Sequence, residues 1–292
     1  MTTYVQPPLE LGGLCQRWNR RRHTWRPAAE GGFDPSRYRV REIPTMLVRE
    51  ARAFVRTHHY SGSWPAVRFA YGLIDTTASS KTALVGVLTL GIPTQAAVLT
   101  SVFGSELTVY QQSLELNRLV LLDEVPANAE SWMQAHAFRL AAARGLRGVV
   151  AHSDPEPRVR LTDHGQETVL PGHYGTIYQA KGMNYLGRTR PRNRTVLPDG
   201  SVLHDRALSK VRIGERGRGG VERRLVALGA RQRAEREPGR AWLGEALHVV
   251  GARVVRHGGN HRYAAYIGPY AGRRIATTSY PYPKADHGGA AA

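Results

Sequence analysis

Two apolar segments flank one helical segment in the middle of the chain, and this arrangement constrains the fold most. Residues 114–123 and 146–154 are predicted to be strands, and residues 128–145 between them have the spacing of a helix. Asn128, or Ser131 if the helix starts later, is placed to cap its start. A strand, a helix and a second strand in this order predict a crossover connection within one sheet.

The segments on either side extend this sheet. Further strands are predicted over residues 37–43, 67–75, 82–93, 184–190 and 260–269. Further helices are predicted over residues 45–59 and 175–183, and a basic helix over 220–236. The strand within 82–93 is nearly all apolar and is therefore expected to be central. The fold class is predicted to be α/β (α+β), with a mixed, mostly antiparallel sheet flanked by helices.

The chain carries a strong positive charge. Its 41 Lys and Arg residues against 23 Asp and Glu residues give a net charge of +18, and the pI is near 10.7. Nearly all of the cations are Arg, which pairs with phosphate through two hydrogen bonds and stacks on bases. A high-GC coding bias accounts for Arg in place of Lys but not for the surplus of positive charge. The composition therefore predicts a nucleic acid partner.

The composition also divides the chain. Residues 1–35 are predicted to form a basic arm, 36–190 a core, 191–274 a basic Arg-rich extension with DNA-contacting elements, and 275–292 a flexible tail. The arm contains two tryptophans among arginines, which either contact nucleic acid by charge and stacking or pack on the core. These two interpretations stay open at this stage.

Cysteine content and hydropathy indicate the compartment. Cys15 is the single cysteine, so no internal disulfide can form and a reducing compartment fits. No apolar run approaches the ~20 residues of a membrane span, and the N-terminal segment does not have the pattern of a signal peptide. We therefore expect a soluble, cytoplasmic protein without membrane contact.

A histidine and a tyrosine follow the first predicted helix. His59 and Tyr60, in the loop before the next strand, can present an imidazole and a phenol to a cleft. Alternatively, His59 interacts as a cation with the C-terminus of the helix, and Tyr60 packs on the core. The motif alone favours the second interpretation.

Polar residues also interrupt the first strand of the crossover. Strict alternation places Glu115 and Asn117 on one face and Arg118 on the other. An arginine beside the start of a helix, together with Asn128 and Ser131, would form an anion site. A plain helix cap and a surface salt bridge are the alternative.

The second strand of the crossover ends in Ser153 and Asp154. In open α/β sheets, ligands bind beyond the carboxyl ends of the strands. Asp154 could act there as a base or metal ligand and Tyr178, in the next helix, as an acid, with His173 and Tyr174 at the entrance. Alternatively, Asp154 only caps the turn before the following proline.

In order and spacing, these motifs resemble the phage Mom proteins. The resemblance covers residues 38–187 and resumes at 260–269. The motifs that carry it are His59-Tyr60-Ser61, Glu115-Leu116-Asn117-Arg118-Leu119, Asn128 with Ser131, Ser153-Asp154-Pro155 and Gly172 to Ala180. It implies a divergent GNAT acyltransferase fold, and conversion of adenine in duplex DNA to its N6-carbamoylmethyl form, which protects phage DNA from host restriction. The resemblance also implies that the protein is located in a bacterial or phage-infected cell.

The resemblance also implies roles for individual residues. Asp154 would be the base or a metal ligand, Tyr60 or Tyr178 the proton donor or stacking group, and His59 would orient one of them, with Ser153 in the same group. The donor would be an acyl-coenzyme A, held by Arg118, Leu119, Asn128 and Ser131, or would react by a route assisted by iron. Contacts to DNA would come from His173, Tyr174, Arg188, Arg190, Arg192 and Arg262.

One feature departs from an ordinary GNAT enzyme. Residues 123–131 (DEVPANAES) stand where such enzymes have a glycine-rich pyrophosphate loop, and they are acidic and lack glycine. A metal site from His59, Asp154 and Tyr178 has no compact sequence signature behind it. The alternatives are a conventional acyltransferase that acts on a small-molecule or protein amine, and a non-catalytic DNA-binding protein on the same scaffold. For the oligomeric state, a homodimer is one of the possibilities.

Overall fold

The computed structural model describes residues 14–19, 22–27, 33–78, 83–126, 128–162, 165–170 and 172–283. Contacts divide the described residues into two units. Unit 1 takes its residues from Met1–Pro155, Pro171–Thr189 and Asn260–Ala292, and unit 2 from Glu156–Leu170 and Arg190–Gly259. The chain therefore leaves unit 1 twice and returns to it twice, whereas the composition had placed one boundary near residue 190.

The strands in chain order are β1 Leu14–Asn19, β2 Arg22–Pro27, β3 Tyr38–Glu42, β4 Val67–Asp75, β5 Leu84–Gly91, β6 Ser113–Leu121, β7 Gly148–Ser153, β8 Arg158–Thr162, β9 Gly165–Leu170, β10 Asn184–Arg188, β11 Arg192–Val196, β12 Val202–Leu203, β13 Arg253–His257 and β14 His261–Tyr266. The helices are α1 Val48–His58, α2 Ala97–Phe103, α3 Ala129–Ala143, α4 Thr176–Ala180, α5 Asp205–Ile213, α6 Gly219–Ala227 and α7 Gly239–Val249. None of these helices is long and apolar enough to cross a bilayer.

Unit 1 is built on a seven-stranded sheet with the order β10-β14-β7-β6-β5-β4-β3. Each neighbouring pair is antiparallel except β6 and β7, which run parallel and are joined through α3. The predicted fold class is thereby confirmed: the sheet is mixed, mostly antiparallel and flanked by helices. The crossover at its centre is the one that the apolar pattern of residues 114–154 indicated.

The two parallel strands part before they end. β6 and β7 pair from Ser113 opposite Gly148 to Leu116 opposite Ala151, and no pairing continues beyond that point. β6 runs on for five more residues beside β5, and β7 for two more beside β14. A cleft therefore opens between the carboxyl ends of the two strands.

A β-bulge in β6 decides which side chains share a face. Leu116 pairs with Leu90 and Arg118 with Thr89, so Asn117 is an extra residue in β6. Thr89 and Leu90 are adjacent and point to opposite faces, so Leu116 and Arg118 do too. The prediction from strict alternation is therefore wrong for Arg118, which lies on the face of Glu115.

Helices cover both faces of the sheet. α3 packs with Met133 and Ala137 on the face that carries Leu90 and Leu116. On the opposite face, α1 packs through its buried Ala51 and Val55, a helical i, i+4 pair, on Val87 and Val120. α2, which the sequence had not indicated, also lies on that second face, beside β14 and β7.

Unit 2 has its own core. β12, β11 and β13 form a three-stranded antiparallel sheet, and β8 and β9 form a hairpin. The three helices α5, α6 and α7 surround the fully buried Trp242, whose indole N–H donates to the carbonyl of Arg231 at 3.0 Å. The basic helix predicted over 220–236 is wrong in extent, because α6 ends at Ala227 before Gly229, which has φ of +105°.

The predicted arm and tail lie partly outside the described residues. β1 and β2 form a separate antiparallel pair within the arm, and the placement of its tryptophan side chains lies outside the description. In the segment expected to be a tail, Tyr280 pairs with Tyr185, and the Tyr282 hydroxyl donates to the carbonyl of Met183 at 3.0 Å. Residues 275–283 are therefore tied to unit 1, and the rest of the tail is not described.

Candidate functional site

Residues from four distant segments meet in unit 1 where β6 and β7 separate. β6 contributes Glu115 and Arg118, and β7 ends in Ser153 followed by Asp154. The loop after α1 contributes His59 and Tyr60, and the segment around α4 contributes His173 and Tyr178. These four side chains interact electrostatically with Arg118, with Asp154 or with one another, so they lie close together. The structure thus brings together the catalytic residues that the sequence predicted.

Arg118 fixes the loop after α1 against β6. Its Nε donates to the carbonyl of Ser63 at 3.1 Å and its Nη2 to the Ser63 hydroxyl at 2.8 Å. Nη1 donates to the carbonyl of Asn117, which the bulge exposes for this contact. The guanidinium predicted to hold a donor anion therefore already binds three protein oxygens.

The loop places an imidazole and a phenol side by side. The Nδ1 atom of His59 accepts a hydrogen bond from the backbone N–H of Ser61 at 3.1 Å, so the ring proton belongs on Nε2. The ring of Tyr60 lies over that of His59, with 4.2 Å between the ring centres. His59 is buried, and this burial favours its neutral form.

Glu115 and His152 bridge the two strands at the point where they part. The Nδ1 atom of His152 lies 2.8 Å from Oε1 of Glu115. Both side chains are half-buried and stand on the same face of the sheet. The bridge closes the narrow end of the cleft, a role that the sequence did not indicate for His152.

The segment after β7 folds back on its own strand end. The backbone N–H of His173 donates to the carbonyl of Asp154 at 2.8 Å, and Asp154 is buried. The Oγ atom of Ser153 is buried and has no hydrogen-bond partner among the described residues. Ser153 therefore keeps a polar atom at the cleft that none of the described groups satisfies.

Gly175 lets α4 approach this strand end closely. Its backbone is left-handed, with φ of +75°, and it precedes the first residue of the helix. A Cβ atom there would lie 2.6 Å from Tyr263, 2.9 Å from Tyr178 and 3.0 Å from the Oγ atom of Ser153. Only glycine fits both the conformation and the space.

His261 joins the site, although the sequence had indicated only its neighbour Arg262. It pairs with Ser153 across β14 and β7, so the two side chains share a face. The Tyr185 hydroxyl lies 2.8 Å from Nδ1 of His261, and Nε2 is buried without a partner among the described residues. The cross-strand register, which a single sequence does not provide, reveals this residue.

Burial keeps the histidines neutral. It lowers the pKa of His59 well below its ordinary value, and the charges of Arg118 and His173 lower it further. Burial lowers the pKa of His173 to about 4, against the opposing effect of Asp154. Burial likewise lowers the pKa of His261 to about 4. At neutral pH these imidazoles are uncharged, so His59, which follows the last residue of α1, does not act there as a cation.

Tyr178 keeps its proton. Burial raises the pKa of its phenol, and the charges of Tyr60 and Glu115 raise it further, while Arg118 acts in the opposite direction. The phenol is therefore a hydrogen-bond donor rather than an anionic ligand at neutral pH.

The loop after β6 does not fit the pyrophosphate of coenzyme A. It carries the carboxylates of Asp123 and Glu124, and Pro126 has no N–H to offer. Asn128 has a left-handed backbone and no side-chain cap bond, and the Ser131 hydroxyl donates back to the Asn128 carbonyl at 3.0 Å. Asn128 therefore occupies the expected position before α3, but its side chain does not cap the helix. Leu119 packs against the main core.

The described residues give no support to the expected iron site. Among the residues that the structure describes, no group of three or more His, Cys, Asp or Glu side chains is arranged to hold a metal ion. The raised pKa of Tyr178 also disfavours the phenolate that would bind iron. The set His59, Asp154 and Tyr178 therefore contains two side chains of these four types and a phenol that keeps its proton at neutral pH.

The residues predicted to contact DNA are distributed over both units. His173 and Tyr174 lie at the cleft, and the Tyr174 ring is 5.4 Å from that of His261. Arg262 of β14 points to the other face, where its Nη1 donates to the Ser101 hydroxyl at 3.2 Å. Arg188 ends β10 in unit 1, whereas Arg190 and Arg192 belong to unit 2.

Comparisons with known proteins give a family and a structural neighbour. The Mom protein family matches residues 37–284. A solved structure described as a tandem GNAT protein from the clavulanic acid biosynthesis pathway, without AcCoA, has a TM-score of 0.36 and 12% sequence identity, and the match covers 79% of this chain and 99% of that one. No curated protein matches the sequence.

Proposed function

Because the chain belongs to the Mom protein family, we propose that it is a transferase that adds a carbamoylmethyl or acyl-type group to the N6 amine of adenine in duplex DNA. The observation that carries the proposal is the cluster of Asp154, His173, His59, Tyr60 and Tyr178 in the cleft between β6 and β7. Such a modification would protect the DNA from restriction.

The chemistry needs a base and a proton donor. The N6 amine is a poor nucleophile because its lone pair is delocalised into the ring, so its proton must leave as the bond to the donor carbon forms. We assign Asp154 as the acceptor of that proton, beside the neutral His173. The protonated phenol of Tyr178 is assigned to the leaving group of the donor.

The adenine must leave the base stack to reach these groups, because its N6 atom is inaccessible to them inside the duplex. Tyr60 is assigned as the stacking surface for the flipped base, and His59 as the residue that positions Tyr60, since their ring centres are 4.2 Å apart. The donor molecule is left open, since the loop after β6 does not suit coenzyme A.

The proposed partner, duplex DNA, is supported by the charge of unit 2. Residues 190–259 contain 16 Lys and Arg against 7 Asp and Glu, a net charge of +9. Most of these acids already bind an arginine, as Asp199 binds Arg224 and Glu222 binds Arg233. The exposed arginines that make no ion pair among the described residues include Arg192, Arg212, Arg216, Arg223, Arg236, Arg240, Arg253 and Arg256.

One face of the unit 2 sheet concentrates this charge. The register places Arg192, Arg194 and Arg253 on the same face, together with the exposed Val255. We expect the double variant Arg192→Ala/Arg253→Ala to make the slope of log affinity against log salt concentration shallower, by the amount that about two phosphate contacts contribute. The double variant Arg236→Ala/Arg240→Ala loses the same charge elsewhere and is the control.

Mass spectrometry of nucleosides tests the transferase. Plasmid DNA is isolated from cells that express the protein, the variant Asp154→Asn or the variant Asp205→Asn. The last is the control, because it makes the same chemical change at an exposed position in unit 2. We expect a new mass on deoxyadenosine with the protein and the Asp205 variant, and none with the Asp154 variant. Thermal melting of each variant checks that it is folded.

The other outcomes distinguish the alternatives. A new mass on another base would keep the reaction and change the target. Unmodified DNA with intact duplex binding would favour a non-catalytic DNA-binding protein. Modification that survives in the Asp154 variant would refute the assigned base.

A further inference from the structure

A groove lies at the opposite end of the unit 1 sheet from the candidate site. Its walls come from α3, from the residues after α4, and from the C-terminal end of β14 with the turn that follows. β14 pairs its last residue with Gly148, at the start of β7, and its first with Ser153, at the cleft. β14 therefore runs from the transfer site to the groove, and α4, which carries Tyr178, ends at the groove wall.

The floor of the groove is apolar. Phe138 of α3 and Ile267, which follows β14, line it, and both are largely buried in the core below. The amide of Asn184 lies at one side. The volume is about 630 Å³, which is within the range of small-ligand sites, roughly 300–1,000 Å³.

The rim of the groove is cationic on several sides. Arg139, Lys181, Arg273 and Arg274 line it, and no carboxylate does. Arg273 binds Glu106 at 2.9 Å and lies over the ring of Tyr270, at 3.7 Å from its centre. The other three are exposed and make no ion pair in the part of the chain that the structure describes.

We propose that this groove binds a phosphate-bearing nucleotide, with the planar base on the apolar floor and the phosphates on the cationic rim. Like charges around a concave surface repel one another, and an anion between them removes that cost. Arg139 and Arg274 can each give phosphate two parallel hydrogen bonds, whereas Lys181 supplies a point charge. The floor offers the area that a flat ring covers.

A base with phosphates can come from two sources, a free nucleotide or a strand of DNA, and binding of either one does not require the proposed transfer reaction.

The experiment uses the full chain and two triple variants. Arg139→Ala/Lys181→Ala/Arg274→Ala removes the unpaired part of the rim. Arg41→Ala/Arg49→Ala/Arg68→Ala removes the same charge from exposed positions outside the groove and is the matched control.

Binding of ATP, adenosine and tripolyphosphate is measured by calorimetry, and binding of a labelled 20-base-pair duplex by anisotropy. We expect ATP to bind more tightly than either of its parts. The groove variant should bind ATP about tenfold or more weakly, since that is the contribution of one charge-assisted hydrogen bond. The control variant should change the affinity less than about twofold, because exposed charges beyond a Debye length are screened.

Each outcome decides the proposal. Selective loss of ATP binding in the groove variant supports the site and assigns a free nucleotide. Selective loss of duplex binding alone supports the site and assigns a DNA phosphate. Equal losses in both variants, or unchanged binding in both, overturn the proposal. Nucleoside mass spectrometry on the groove variant separates this result from the transferase proposal, which depends on Asp154 at the other end of the sheet.

Discussion

Replacing Gly175 with alanine tests the packing of α4 against the strand end. The new Cβ atom would lie 2.6 Å from Tyr263 and 2.9 Å from Tyr178, well inside van der Waals contact. The left-handed conformation costs a residue with a Cβ atom about 1–2 kcal/mol. Overpacking in a core adds about 1–3 kcal/mol. We therefore expect a loss of about 2–5 kcal/mol in the free energy of unfolding.

Gly182, after the other end of the same helix, provides the control. Its φ is +71°, close to the +75° of Gly175, but a Cβ atom there would meet no atom within 4 Å. Gly182→Ala should therefore incur the cost of the conformation alone, about 1–2 kcal/mol.

The difference between the two variants isolates the steric contact. For an extra 2 kcal/mol, Gly175→Ala should melt about 4–8 °C below Gly182→Ala in thermal unfolding followed by circular dichroism. DNA modification should also fail in the Gly175 variant, because Tyr178 and Ser153 are displaced. Equal melting temperatures for the two variants would refute the close approach of α4 to β7 and β14.

The remaining predictions concern charge and hydrogen bonding in the same unit. The pKa of His261 is about 4 in the folded protein and 6.5 in the unfolded chain, so the unfolded chain binds more protons between these pH values. Stability to urea should therefore fall as the pH falls from about 6.5 to about 4. The variant His261→Asn should make this fall shallower. Arg118→Lys should lose a hydrogen bond to Ser63 and speed hydrogen exchange in the loop after α1, and unchanged exchange would contradict the contact. Glu115→Gln and His152→Gln should couple by about 0.5–3 kcal/mol in a double-mutant cycle of unfolding free energies, and additive effects would contradict the bridge.

The central part of the fold could be predicted from the sequence because local patterns determine it. The apolar strands on both sides of residues 128–145 require a crossover, and every end of the observed β6, α3 and β7 lies within two residues of the predicted bound. α2 was missed because Ala97–Phe103 is short and has no side-chain cap to mark its start. The β-bulge at Asn117 was missed because an extra residue in a strand has no local pattern, and its register depends on β5.

The sequence indicated part of the membership of the candidate site but not its geometry. His59, Asp154 and Tyr178 were identified because several side chains able to bind or transfer protons follow predicted helices and strands in the sequence, where loops carry functional groups. The role of Arg118 depends on Ser63, which is 55 residues away in the chain, and so it could not be read from spacing. His261 reaches the site only through the register of β14 with β7.

The bulge in β6 connects these observations. If β6 alternated strictly through Asn117, without the bulge, Arg118 would point to the α3 face, away from the loop that carries His59. With it, the guanidinium holds Ser63, and the loop holds His59 and Tyr60 beside the opening between β6 and β7. Arg118 is therefore a positioning residue rather than an anion ligand on this geometry. A donor molecule in the cleft must then be bound mainly by groups other than this guanidinium.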